Sequence, residues 1–195
     1  MLVKVICRLS GEFKRPVFGP RLRSLLQQVP LDLRVVRSGL LKDTLIITSH
    51  FEEIPDISKL IGLQVFDKRV IDVKGVIANP EEVERLPKEG CSQVRIATPY
   101  PFNHNGIPAI REIVRGSLDI WREATGQRVK VGKLTPLHVS LTVIRGRWGR
   151  GVVGRITLKG EGAPAFGHVA SFVGSGDMGD KGYGYMELVS LDCPD

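Results

Sequence analysis

Gly174-Ser175-Gly176-Asp177-Met178-Gly179-Asp180-Lys181-Gly182-Tyr183-Gly184 is the stretch that decides the fold, because five glycines in eleven positions let the backbone bend where side chains would block it. Such a loop can bring peptide N–H groups close to an anion. Its flanks matter as much as its composition. The preceding FGHVASFV has helical character, and the following YGYMELVS alternates as a strand. The order is therefore helix, glycine loop, strand. Dinucleotide-binding and Walker-type loops require strand, loop, helix, since the phosphate sits on a helix N-terminus. A mononucleotide or NAD site is not expected, and no cofactor is implied.

Working outward, the second half begins with IREIVRGSLDIWREATG, which puts Ile110, Ile113, Val114, Leu118 and Trp121 on one helical face and stops at Gly126. LHVSLTVI and GVVGRITLKG alternate as strands, and the last helix, the glycine loop and the last strand follow. The first half has a similar order. LVKVICRLS reads as a strand; Pro20 and RLRSLLQQV as a helix ended by Pro30; LRVVRSG and DTLIITSHF as strands. DISKLIGLQVF is expected to be a second helix, RVIDVKGVI a strand, and NPEEVERL a short acidic helix. TPYPFNHNGIP, with three prolines in eleven residues, is expected to interrupt regular structure and mark the join. The fold class expected is α+β: two tandem units of β-α-β-β-α-β type, residues 1–95 and 96–195.

The net charge of +7 is unevenly spread. Between Arg111 and Lys159 lie eleven Lys/Arg and three acids, and no acid falls between Ala124 and Gly160. A solvated surface normally mixes signs, so a one-sign region points to a polyanion partner. Its densest part, RGRWGRGVVGR, sets Arg145, Arg147, Arg150 and Arg155 among glycines, with Trp148 available to stack on a base. No apolar run approaches the length of a membrane span, and MLVKVICRLS lacks the pattern of a secretory signal, so a soluble, cytoplasmic protein is expected. Cys7, Cys91 and Cys193 are too scattered for a disulfide framework or a zinc motif and read as structural thiols. His104, in a turn, is expected to be exposed; His138 reads as a packing or surface residue; His168 reads as helix filler. No histidine pair has metal-ligand spacing.

Two α+β halves, a basic second half and a GxGxxxxxGxG loop before the last strand resemble the CRISPR-associated repeat-processing endoribonucleases of the RAMP superfamily. Gly174, Gly176, Gly182 and Gly184 match the glycines, and Lys181 supplies the basic residue before the second pair. VRIATPYPF, the helix with SLDIW and GVVGRITLKG also match. The resemblance implies tandem ferredoxin-like (RRM-like) domains and a monomer or homodimer that binds CRISPR repeat RNA (crRNA), alone or alongside other CRISPR-associated effector subunits. It implies contacts from the hairpin arginines, Trp148 and the glycine loop. It further implies metal-independent cleavage: the ribose 2′-OH attacks the adjacent phosphate and leaves a 2′,3′-cyclic phosphate. Many members use a histidine shortly after the first helix, with a tyrosine in that helix. Here RLRSLLQQV holds no tyrosine, and Arg37-Ser38-Gly39 stands where the histidine is common. Arg37, Lys42 and His50 are the remaining catalytic candidates, and slow cleavage or none is expected. The alternatives are a non-catalytic RNA-binding RAMP protein or effector subunit, and an unrelated ferredoxin-like interaction domain.

Overall fold

In the computed structural model, which describes residues 1–195, the chain forms two units, each with its own four-stranded antiparallel sheet. The first unit comprises Met1–Ala78 together with Met178–Tyr183; the second comprises Asn79–Asp177 and Gly184–Asp195. The glycine loop is thus divided, its middle belonging to the first unit and its ends to the second.

In the first unit, β1 (Leu2–Val17) leads through α1 (Pro20–Leu26) to β2 (Arg34–His50), and the sheet order is β2-β1-β4-β3. Alternation along β1 buries Val3, Val5, Cys7 and Leu9 against Leu22, Leu25 and Leu26 of α1. Burial pushes the Cys7 thiol up to about 12, so it stays protonated in the core. α1 starts at Gly19, whose φ of 93° suits glycine, with Pro20 at its first position, and it ends at Leu26, short of Pro30. β2 is one continuous strand where two were expected, bent at Lys42, whose φ is 51° and which faces Phe13 across a register shift. The second helix expected over DISKLIGLQVF is absent. Asp56 caps only a 3-10 turn, Ile57–Leu60; Gly62, at φ 82°, ends it, and the chain enters β3 (Gln64–Val65) and β4 (Lys68–Ile77).

The second unit runs α2 (Pro80–Arg85), β5 (Glu89–Phe102), α3 (Ile110–Thr125), β6 (Leu134–Gly146), β7 (Gly149–Glu161), α4 (Ala163–Val173) and β8 (Met186–Ser190), in the sheet order β6-β7-β5-β8. Val94, Ile96, Val152, Ile156 and Leu158 meet Ile113, Val114, Phe166 and Ala170 of the two long helices. α3 and α4 follow the apolar spacing of the sequence, and α3 closes on Gly126 in the left-handed region. The proline-rich TPYPF does not interrupt β5. β8 pairs with β5 only through Ile96; Pro99 lies in the irregularity between Ile96 and Tyr100, and Pro101 lies beyond it, opposite Gly151 of β7. Because β5 and α2 both belong to the second unit, the units divide at 78/79, not at 95/96. A second difference concerns the thiols: Cys91 and Cys193 form a disulfide, possible because the tail after β8 returns to the start of β5. No helix is long and apolar enough to cross a membrane.

Candidate nucleic-acid interface

The basic hairpin is built from β6 and β7, which turn through two residues, Arg147 and Trp148, with Gly146 opposite Gly149 and Arg145 opposite Arg150. Gly149, at φ 116°, permits that tight turn. Arg145 and Arg147 are exposed. Arg150 is half-buried: its guanidinium lies 5.2 Å from the centre of the Phe102 ring and donates to the His104 carbonyl at 3.0 Å. Trp148 folds along its own hairpin, so close over Gly146 and Gly151 that a Cβ at either would touch the indole. The tip is thus a packed cluster with two arginines reaching into solvent.

Arg155 is not part of it. Side chains alternate along an unbroken strand, so Arg150 shares the helix-side face of the sheet with Val152 and Ile156, and Arg155 points to the other. There it stands exposed, opposite Arg95, whose own charge is taken by Glu187 on β8 (Nε to Oε2 2.9 Å).

The glycine loop does two jobs. At its ends, the Ser117 hydroxyl donates to the Gly174 carbonyl at 2.6 Å, the Ser175 hydroxyl donates to the Ile113 carbonyl at 2.7 Å, and Gly184 N–H donates to the Pro99 carbonyl at 2.9 Å, all within the second unit. In its middle, Ser38 donates to the Gly179 carbonyl (2.7 Å), Gly19 N–H to the Lys181 carbonyl (2.6 Å), and Arg23 pairs with Asp180 (3.3 Å), all within the first. The N–H groups of residues 174, 175 and 181–184 all donate to protein carbonyls. Gly182 sits at φ 82° with its Cβ position 2.4 Å from Leu22 Cδ2, and a Cβ on Gly176 would meet the Tyr100 ring. Close packing therefore accounts for these glycines. Lys181 is half-buried beside them.

The three catalytic candidates share β2 but not a site. Arg37 is 1% exposed and donates to the Tyr183 carbonyl at 2.6 Å. Lys42 is exposed at the β2 bend. His50 is eight residues farther on, roughly 25 Å at the rise of a strand, and pairs with Leu2. Partial burial, the N-terminal ammonium and Arg34 hold its imidazole below the usual 6.5. His104 is exposed, 3.4 Å from Glu112; His138 is exposed on β6; His168 packs beside Phe172 in α4. No group of three or more His, Cys, Asp or Glu side chains converges as metal ligands would. Sequence reasoning missed Phe102 and His104 at the hairpin tip, because only the observed pairing of Phe102 with Arg150 brings them there.

By sequence, no family model and no curated protein matches this chain. By structure, a Cas6 product complex superimposes with a TM-score of 0.71 over 97% of this chain and 100% of that one, at 19% identity. The fold is the Cas6 fold. A Thermus thermophilus Cas6 matches with a TM-score of 0.68 at 20% identity, covering 97% of this chain and 98% of its own. A RAMP protein described as binding different RNA substrates matches at 0.52 and 13% identity, covering 96% and 100%. The likeness extends over both ferredoxin-like units.

Proposed function

We propose that this protein binds CRISPR repeat RNA and processes it without a metal ion, the ribose 2′-OH attacking the adjacent phosphate to give a 2′,3′-cyclic phosphate and a 5′-OH. The observation that carries the proposal is the full-length likeness to a Cas6 product complex, together with a hairpin tip that holds Arg145 and Arg147 free for phosphates. Arg150, fixed on Phe102, and Trp148 give that tip its shape. Arg155 serves a second stretch of backbone on the opposite face of the sheet. Arg37 works as a positioning residue that holds residues 178–183 in place, and the glycines permit the close packing of that segment. Without a histidine beside the loop, proton transfer falls to water or to a more distant group, and turnover is slow.

A second reading, binding without cleavage, is favoured by one observation: the side chain at position 37 is sealed from solvent. Repeat RNA from the same genome, incubated with the protein in EDTA and resolved on a gel, separates the two. Cleavage to a cyclic-phosphate end, abolished by a single 2′-deoxy substitution at the scissile nucleotide, supports processing. Tight binding with intact RNA leaves binding alone, and salt-independent or absent binding overturns both.

A further inference from the structure

The hairpin absorbs only part of the basic stretch; Arg111, Arg115, Arg128 and Lys130 lie around a different feature of the second unit. Between α3 and the β6 edge runs a groove of about 860 Å³. Its floor is apolar, with Ile110, Val114 and Leu118 of α3 facing Leu134 of β6 and Leu158 of β7. The apolar row continues past the groove along β6, an edge strand, where Val139 and Val143 share the helix-side face and are 42% and 37% exposed. Asp119 is the one acid of the lining, and it already pairs with Arg115 at 3.7 Å and Arg122 at 3.4 Å. Arg111, Arg128 and Lys130 are exposed and make no ion pair.

We propose that this groove docks an acidic amphipathic helix of a partner protein, with its apolar stripe on Ile110, Val114, Leu118 and Leu134 and its carboxylates on Arg111, Arg128 and Lys130. α3, at 16 residues, offers a wall of about 24 Å, enough for a facing helix of three to four turns. An RNA backbone would satisfy the cations but leave the apolar floor wet, whereas an amphipathic helix satisfies both. The proposal stands independently of repeat binding, since neither Trp148 nor any of the four hairpin arginines lines the groove.

The test is fluorescence anisotropy of a labelled, helix-stapled 14-residue peptide with leucines at i, i+3, i+4 and i+7 and glutamates elsewhere. Its control is the same peptide with lysines for glutamates. The expected result is saturable binding of the acidic peptide, at least about tenfold tighter than the lysine form, and weakened about tenfold in Arg111→Glu/Arg128→Glu, whose exposed positions leave folding intact. Leu118→Glu, checked by thermal melting, should also weaken it, while repeat-RNA affinity stays unchanged in all variants. Absent or non-saturable peptide binding, equal binding of the lysine form, or an unaltered double variant overturns the proposal. Loss of RNA affinity in the double variant, with RNA displacing the peptide, assigns the groove to nucleic acid and also overturns it.

Discussion

Arg37 illustrates what a single residue can be asked to do. A guanidinium so fully buried is tolerated only where its donors are met, and here the Tyr183 carbonyl, contributed from the far end of the chain, accepts one of them. Arg37→Met should therefore lower the unfolding free energy by about 1–3 kcal/mol in urea titration, since it strands a buried carbonyl. A loss of RNA cleavage at unchanged stability would instead make Arg37 a catalytic residue. Gly182→Ala should also destabilise by about 1–3 kcal/mol, because its Cβ would press on Leu22 at a positive φ. His50 gives a pH test. Its pKa is lowered in the folded state, so between that value and about 6.5 the unfolded chain binds more protons, and stability falls as pH drops through that window. His50→Gln should flatten this part of a stability-against-pH curve. The sequence showed the arginine at 37 but not its burial, because Val35, Val36 and Arg37 carry no periodic signal that separates inside from outside.

At the level of elements, periodicity served well where one helical face or one strand face is buried. α3 and α4 follow their apolar spacing, and the hairpin follows from two alternating runs about a glycine-flanked turn. It failed where pairing geometry overrides composition. Prolines 99 and 101 fit within β5 because β8 begins only alongside Ile96, and DISKLIGLQVF stops being helical at Gly62. The four hairpin arginines look equivalent in sequence, yet strand alternation divides them between two faces. Arg145→Ala/Arg147→Ala should lower RNA affinity at low salt and reduce the slope of log K against log salt by about 1.4, or 0.7 per contact on a single strand. Arg155→Ala should change the slope by about half as much. An unaltered slope in the double variant would show that the tip is merely solvated.

Across the whole molecule, the α+β class and the tandem ferredoxin-like arrangement were legible from element order, whereas the division of the glycine loop between units was not, since no local pattern tells a turn which sheet it completes. The same limit hid the disulfide: Cys91 and Cys193 are 102 residues apart, and only the return of the tail to β5 unites them. Cys193→Ser should lower stability by about 2–4 kcal/mol under oxidising conditions, and a reductant should bring the parent protein to the same midpoint. The parent melting identically with and without reductant would rule out that contribution. The assignment of Met178–Tyr183 to the first unit also bears on how the protein is made. Translation delivers residues 1–78 long before residue 178, so that segment must wait, with its Arg37 acceptor at Tyr183 missing, until about a hundred further residues have been made. The nascent first unit is therefore an incomplete fold while the second is being made, and its maturation is timed by the arrival of α4 and the glycines that follow it.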